Sequence, residues 1–554
     1  MFEVNTALPL KPSNPQPLKS SNSQVLKLFN MNKEKFIADI TAGYTFKGES
    51  IVLGGAMLDK ENIPGLQIKV PLRMMNRHGL IAGSTGSGKT KTLQIIAEQL
   101  SSYSVPVLLM DIKGDLSGIA MPAQSNAKIE DRHQKIGVPF TASGSPVEFL
   151  TLSNEKGARL RATVTEFGPV LFSKILGLND TQGGVVAVVF KYCDDNNFPL
   201  LDLKDLKKVL QFVGDEGKEE FQKLYGMTST STVGSIMRKI VELEQQGADV
   251  FFGERSFDVG DLCRLDENGK GMVSIVRLTD IQDKPKLFST FMLQMLAEIY
   301  ASFPEEGDMD QPKLVIFIDE AHLVFEEASD ALLNQIEAII KLIRSKGVGI
   351  FFVTQNPADI PEDVLGQLGL KVQHSLRAFT AKDRQAIKLA AQNYPLTEYY
   401  DVENLLTELG IGEAFVTSLN EKGIPTPLAH TMLRAPQSRM DVLTPEEIDD
   451  ILRQSTIIRK YNEVIDRDSA YEILNEKIEE ALSEEHQAEI QKQREAAEKS
   501  VPRRQEKSMF EKVVSSPTTR QIGSTIAREL TRGLLGAFGI KTPARRTTKR
   551  SGWF

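Results

Sequence analysis

The chain has 554 residues, of which 41% are hydrophobic and 25% charged, with a formal net charge of −8. This length exceeds what one hydrophobic core needs, and the composition is ordinary for a soluble protein. No run approaches about 20 apolar residues, and no secretory leader is visible, so we expect a cytoplasmic protein that does not span a membrane. Cys193 and Cys263 lie far apart without ligands at metal spacing, which argues against a disulfide framework and a zinc site.

The start of the chain lacks long apolar segments. Residues 1–34 are rich in Pro, Ser and Asn, a composition typical of disorder. Residues 35–76 carry short apolar runs, such as Ser50-Ile51-Val52-Leu53, between Gly and Pro. We therefore expect a disordered leader and then a small β-rich segment.

The most specific motif is a loop that follows a predicted short buried strand, residues 78–82, and precedes apolar residues at helical spacing. It reads G-x-x-x-x-G-K-T and consists of Gly83, Ser84, Thr85, Gly86, Ser87, Gly88, Lys89 and Thr90. Between a strand and a helix, such a loop surrounds phosphates with backbone N–H groups. Lys89 is predicted to reach the β- and γ-phosphates, and the Thr90 hydroxyl to bind Mg²⁺. The loop predicts that the chain binds a nucleoside triphosphate.

A second apolar run, residues 105–110, ends in Asp111, and Lys113 follows. Because ligands lie beyond the carboxyl ends of parallel strands, both residues are expected near the same edge of the sheet as the loop. Asp111 is a candidate to support Mg²⁺ or the attacking water within the nucleotide site, and Lys113 to contact phosphate or a polymer. An ordinary loop charge explains either residue equally well.

Further along, apolar runs alternate with helical patterns. A mainly helical stretch occupies about 150–260, and apolar runs return at 272–276, 313–318 and 348–354. This alternation predicts an α/β fold with a parallel, doubly wound sheet and an inserted helical subdomain. The core is placed at residues 77–435.

The apolar residues 315–318 are followed by Asp319 and Glu320. A buried strand that ends in Asp-Glu is the Walker B pattern, in which Asp319 holds Mg²⁺ and Glu320 orients or activates the attacking water. An Asp-Glu pair that caps a helix is the alternative, but the loop upstream favours a hydrolytic site.

Gln355 closes the next predicted strand. In a parallel sheet it faces the same site as Glu320, where its amide can sense the γ-phosphate or orient water. A polar strand end without a catalytic role is the alternative.

Two segments follow the core. Residues 436–500 are predicted to form an acidic helical extension, and residues 501–554 a basic tail that contains an amphipathic helix. The apolar face of that helix favours docking on protein over docking on a membrane. The basic end of the tail is a candidate contact for DNA or anionic lipid, or a solvated extension. The leader and the tail are the candidate segments for binding a protein partner.

Four segments carry motifs that occur together: residues 76–90, 110–116, 318–322 and 353–357. Together they resemble the HerA/FtsK group of ring ATPases. Two further motifs, residues 252–254 and 528–536, and the helical insertion resemble the YjgR-like bacterial branch more narrowly. The resemblance implies a RecA-like core, a homohexamer, ATP as the nucleotide and a DNA-translocating role.

Ring ATPases of this group complete each site with an arginine from the neighbouring subunit, which spreads positive charge over the transition-state oxygens. By resemblance, Arg77 and Arg344 match the candidate positions, and Arg377 and Arg384 are weaker candidates. Structural ion pairing is the alternative for each.

The sequence therefore predicts a Mg²⁺-dependent ATPase. Its output is a motor on double-stranded DNA or, as the alternative, an ATP-dependent assembly switch or remodeller that acts on a protein. The acidic net charge slightly favours the second, because nucleic-acid-binding surfaces are basic. A monomeric small-molecule kinase is a third, weaker alternative.

Overall fold

The computed structural model describes residues 21–307, 309–325, 330–463, 465 and 468–499. The predicted basic tail, 501–554, and the first 20 residues of the predicted leader lie outside these residues, so the expectations for them stay predictions. None of the described helices is long and apolar enough to cross a membrane.

One mixed sheet organises the described part of the chain. From edge to edge its strands run in the order β2-β1-β12-β11-β10-β3-β9-β8-β4-β7-β5-β6. The strands are β1 (Ser50–Leu58), β2 (Glu61–Pro71), β3 (Gly79–Ala82), β4 (Val107–Asp111), β5 (Val147–Thr151), β6 (Ala158–Arg159), β7 (Val273–Arg277), β8 (Leu314–Ile318), β9 (Val348–Thr354), β10 (Leu370–Gln373), β11 (Glu413–Thr417) and β12 (Ala429–Leu433).

The α/β class and the parallel core are confirmed, but the sheet is not parallel throughout. From β10 to β6 the neighbouring strands are parallel, whereas β10, β11, β12, β1 and β2 pair antiparallel. The central strands β3, β4, β8 and β9 are buried along their whole length. Such strands read as continuous apolar runs, which is why the sequence revealed them.

Helices cover the sheet and form the insertion. They are α1 (Ser21–Gly43), α2 (Lys89–Ser102), α3 (Ala127–Ile136), α4 (Val164–Ile175), α5 (Asp180–Asn196), α6 (Leu203–Gly214), α7 (Lys218–Tyr225), α8 (Thr230–Gln245), α9 (Ala248–Phe251), α10 (Pro285–Ser302), α11 (His322–Phe325), α12 (Asp330–Ile343), α13 (Glu362–Leu365), α14 (Ala381–Gln392), α15 (Val402–Glu408), α16 (Pro445–Gln454), α17 (Thr456–Tyr461) and α18 (Ala470–Lys499).

The segment before the core differs from the expectation. Helix α1 runs to Gly43, where disorder was expected to residue 34. Strands β1 and β2 lie in the segment expected to be β-rich, but they join the main sheet, with β1 beside β12. Phe36 is fully buried and packs edge-on against Tyr399, with ring centroids 5.1 Å apart. The contact that orders this helix comes from a residue distant in sequence, so local composition does not show it.

The insertion also begins later than expected. Strands β5 and β6, inside the expected range of about 150–260 or at its border, belong to the main sheet. Helices α4 to α9 then form the helical part, which starts at Val164. Thr163 caps α4 with a capping box.

The described residues divide into two compact units after Lys477, within α18. The first unit contains the sheet, the insertion and helices α16 and α17. The described part of the second unit is the remainder of α18, which is rich in Glu and belongs to the expected acidic extension.

Candidate functional site

Five adjacent parallel strands end at one edge of the sheet, in the order β10, β3, β9, β8 and β4. Residues 83–90 follow β3, and Gln355 follows β9. Asp319 and Glu320 follow β8, and Asp111 ends β4. The fold thus brings the predicted loop, Gln355 and the carboxylates to the same edge, where parallel sheets bind ligands.

Glycines set the shape of the loop. Gly83, Gly86 and Gly88 have φ values of 152°, 79° and 113°, a region that favours glycine. The backbone N–H of Gly83 donates to Thr354 O at 3.2 Å, and that of Ser84 donates to Ser375 O at 2.8 Å. The loop is therefore anchored to the last residue of β9 and to the segment that follows β10.

Lys89 begins α2, and its side chain turns back into the loop. Its amine donates to Gly83 O at 2.7 Å and to Ser84 O at 3.2 Å. Burial lowers the pKa of this amine, and the charge of Lys113 lowers it further. The amine sits at the centre of the loop, where it can exchange the carbonyls for phosphate oxygens. Thr90 is half-buried in the first turn of the same helix.

Asp319 and Glu320 are almost fully buried, at 3% and 7% exposure. Burial raises the pKa of Asp319 to about 6, against the opposing effect of Lys113. Glu320 has φ of +46°, a conformation that is uncommon for non-glycine residues. The Glu320 carboxylate lies against the loop after β4, which carries Lys113.

Lys113 faces both carboxylates. Its amine lies 3.6 Å from Asp319 Oδ2 and forms a closer ion pair with Glu320 Oε1. His322 Nδ1 lies 3.3 Å from the other oxygen, Glu320 Oε2. Sequence reasoning expected Lys113 near phosphate or a polymer and did not foresee this contact, because a motif does not reveal which charges face each other across two strand ends.

Asp111 has a structural role in this site. Its Oδ1 accepts from the N–H groups of Gly114 and Asp115 at 2.8 and 3.1 Å, and its Oδ2 from Leu116 at 3.2 Å. Burial raises its pKa to about 7. These bonds hold the turn that carries Lys113. A contact of Asp111 with the nucleotide stays a prediction.

Gln355 is exposed beside the loop. Thr85 Oγ1 donates to Gln355 Oε1 at 3.2 Å. Both residues line a cleft together with Arg377 and Phe379. Of the four candidate arginines, Arg377 is thus placed next to the loop of its own chain, which the sequence did not indicate.

Arg77 and Arg344 lie at the amino ends of the parallel strands, opposite the edge that carries the loop. Arg77 ends a 3₁₀ turn shortly before β3, and Arg344 begins one shortly before β9. Because the loop and Gln355 follow the opposite ends of these strands, β3 and β9 separate the two arginines from the loop of their own chain. Between them His78 is buried; it accepts from Ile350 N at 3.0 Å.

His374 is a buried neighbour of the loop that sequence reasoning missed. Its Nε2 lies 2.9 Å from Thr92 Oγ1, and burial lowers its pKa to about 4. A Cβ atom at Gly83 would lie only 2.5 Å from its Cβ. The residue belongs to no phosphate-binding motif. The four residues before it, Leu370 to Gln373, alternate between apolar and polar and gave no signal of a site.

The site residues fit a magnesium ion that is bound together with a nucleotide. Among the described residues, no group of three or more His, Cys, Asp or Glu side chains could hold a metal alone. Asp319 Oδ2 is buried and accepts no hydrogen bond, and the Thr90 hydroxyl is available at the start of α2. Magnesium is commonly held by few protein oxygens plus phosphates and water. Thr90 and Asp319 are suitable for that arrangement.

Comparisons with known proteins agree with the predicted resemblance. The HerA of Sulfolobus acidocaldarius, described as a DNA double-strand break repair helicase, is 21% identical over 65% of this chain and 66% of its own length. The HerA of Sulfurisphaera tokodaii is 23% identical over 63% of this chain and 64% of its own length. The match therefore spans slightly less than two thirds of these relatives.

Solved structures show a weaker likeness. The bacterial conjugative coupling protein TrwB aligns over 74% of this chain and 95% of its own, with 12% identity and a TM-score of 0.48. This similarity is too low to support an assignment. The resemblance to the YjgR-like branch likewise stays a prediction.

The sequence model of the family described as "Helicase HerA-like C-terminal" matches residues 57–543. This range includes the loop, both carboxylates, Gln355 and all four candidate arginines. The chain belongs to the HerA-like helicase C-terminal family.

Proposed function

We propose that this protein is a Mg²⁺-dependent ATPase that works as an oligomeric motor. The observation that carries the proposal is the convergence of residues 83–90, Asp319, Glu320 and Gln355 at one edge of the sheet. Membership of the HerA-like family supports ATP as the nucleotide.

In the proposed reaction, backbone N–H groups of the loop and the Lys89 amine neutralise the β- and γ-phosphates. Thr90 and Asp319 hold Mg²⁺, which supplies further charge neutralisation at the phosphate oxygens. Glu320 accepts a proton from water as the water oxygen attacks the γ-phosphorus and the bond to the β–γ bridging oxygen breaks. Gln355, which already contacts the loop through Thr85, orients that water or the γ-phosphate.

The site requires a second subunit in this proposal. Arg77 and Arg344 lie at the sheet edge away from their own loop, so only a neighbouring copy can present them to it. An arginine supplied in this way stabilises charge on the transferred phosphoryl group. A homohexamer, which the family resemblance implies, provides such neighbours for every site.

Double-stranded DNA is the proposed substrate of the motor, in line with the DNA-repair helicases that the chain resembles. A protein substrate is the second candidate. The net charge of −8 favours it, because a surface that tracks a phosphate backbone is normally basic.

ATP hydrolysis by protein of measured oligomeric state, with and without double-stranded DNA, tests the proposal. We expect turnover that DNA increases and that Glu320→Gln abolishes while ATP binding remains. A rate that does not respond to DNA of any length or at any salt concentration would exclude DNA as the substrate and leave the protein substrate. ATP turnover by Glu320→Gln at the wild-type rate would remove Glu320 from its proposed role.

A further inference from the structure

Lys113 and the Walker B carboxylates follow the carboxyl ends of two neighbouring strands. Strands β4 and β8 are parallel neighbours, with Met110 paired to Ile318. The turn after β4 is held by the three N–H groups that bond to Asp111. This arrangement gives Lys113 a defined position opposite the end of β8.

Lys113 compensates part of the negative charge of this cluster. Asp319 and Glu320 are adjacent and buried, and two buried like charges are costly unless a cation compensates them. Among the described residues, Glu320 lies within ion-pair distance of Lys113 and His322, and Lys89 also interacts electrostatically with both carboxylates. The side chain of Lys113 keeps 39% of its surface exposed, so it can leave along a path open to solvent.

The amine occupies a place that a magnesium-bound nucleotide also needs. Asp319 Oδ2, the buried oxygen suited to Mg²⁺, is 3.6 Å from the Lys113 amine. A Mg²⁺ ion held by that oxygen would lie close to the amine, and neighbouring cations repel each other strongly at low dielectric constant. The lysine and the metal are therefore alternative partners of Asp319, and the lysine stem is long and flexible enough to move.

We propose, on the basis of the proposed ATPase function, that Lys113 is a placeholder cation. Without nucleotide it neutralises Asp319 and holds Glu320, and the entry of ATP with Mg²⁺ displaces its amine from both. Glu320 then becomes free to orient water only when the phosphates are present. Lys113 acts through Glu320 and Asp319 and is therefore a positioning residue, not a catalytic one.

Binding of Mn²⁺ together with a non-hydrolysable ATP analogue tests the competition directly, with electron paramagnetic resonance as the readout. Lys113→Met preserves the length of the side chain but removes its charge, and we expect about a tenfold gain in Mn²⁺ affinity. Lys113→Arg should bind Mn²⁺ like the wild type. Lys223→Met, the same change on helix α7 of the insertion, is the matched control and should have no effect. The gain should disappear in the double variant Lys113→Met/Asp319→Asn.

Equal Mn²⁺ affinity of wild type and Lys113→Met would overturn the proposal. A second measurement does not depend on the folding of that variant. In nucleotide-free protein, Glu320→Gln should raise the acetylation rate of Lys113 several-fold, measured by mass spectrometry with Lys223 as internal reference. An unchanged rate would show that Glu320 does not hold the amine. Neither experiment involves turnover or DNA, so the placeholder role and the motor function succeed or fail separately.

Discussion

Thr85 donates a hydrogen bond to Gln355, with 3.2 Å between the hydroxyl and the amide oxygen. The bond joins the phosphate loop to the residue that follows β9. Strand β9 lies between β3, which precedes the loop, and the Walker B strand β8. Gln355 is thus adjacent to the expected position of the γ-phosphate before any nucleotide is bound.

Gln355→Ala should lower kcat while KM for ATP changes little. The amide would act on the transferred phosphoryl group or its water, and the loss of one such polar group costs about a hundredfold in rate. Steady-state ATP hydrolysis measures both parameters. Thr85→Val is the control, because it removes only the bond to Gln355 and should reduce kcat far less. Equal effects of the two substitutions would contradict the assigned role of Gln355.

Gly83→Ala should impair nucleotide binding and lower the melting temperature. An added Cβ would lie 2.5 Å from the Cβ of buried His374, and φ at this position is 152°. Gly86 is a useful comparison, since it also has positive φ, 79°, but its added Cβ meets open space. Gly86→Ala should therefore destabilise the protein less than Gly83→Ala. Thermal unfolding and binding of a fluorescent ATP analogue measure the difference; equal melting temperatures of the two variants would refute the steric explanation.

The phosphate loop, the Walker B pair and Gln355 could be predicted because each depends on local sequence. When glycines or acidic residues follow a buried strand, the sequence indicates that they lie beyond the carboxyl end of a parallel sheet, where ligands bind. The position of His374 under the loop could not be predicted in this way. It depends on β10 lying beside β3, a pairing between residues almost 300 positions apart.

The antiparallel part of the sheet was missed for a similar reason. Strand β1 pairs with β12, where Gly54 faces Leu433, and no local pattern announces a partner so distant in sequence. A Cβ atom at Gly54 would lie 2.0 Å from Met432 O, so this glycine permits the close approach of the two strands. From sequence alone, the glycine was equally consistent with a turn.

Because of His78, the free energy of unfolding should decrease as the pH is lowered below about 6.5. Burial and the nearby charge of Arg344 lower the pKa of its imidazole to about 4. Between these pH values the unfolded chain takes up a proton that the native imidazole does not bind, so protonation favours unfolding. The expected loss is roughly 3 kcal/mol between pH 6.5 and pH 4.

His78→Gln isolates this effect. The amide can still accept from Ile350 N and donate to Ile340 O, as the imidazole does in the structure. The pKa of His374 is also lowered and that of Asp111 raised, but both groups are present in wild type and variant and cancel in the comparison. Urea unfolding from pH 7 to pH 4 should show a shallower decline for His78→Gln. Parallel curves would mean that His78 titrates alike in both states.

Mixed oligomers should reveal whether Arg77 or Arg344 acts in a neighbouring subunit. An Arg344→Ala subunit retains Glu320, and a Glu320→Gln subunit retains Arg344, yet each variant alone should hydrolyse ATP poorly. If Arg344 reaches the next subunit's loop, some interfaces in a mixed ring combine intact Glu320 with intact Arg344. Co-expression of the two variants with different tags, followed by tandem purification, should therefore restore a measurable fraction of the wild-type rate.

The same experiment with Arg77→Ala identifies which arginine acts in trans. An arginine that serves its own chain's site gives no restoration, because no single subunit of the mixture carries both intact residues. Arg377 provides the contrast, since it lines the cleft beside Thr85 and Gln355 of its own chain. Mixtures of Arg377→Ala with Glu320→Gln should stay inactive if Arg377 acts in cis. The contrary result is ATP hydrolysis that is restored only when Arg377→Ala is mixed with Glu320→Gln, and not when Arg77→Ala or Arg344→Ala is. That result would mean that Arg377, and neither of the other two arginines, acts in the neighbouring subunit.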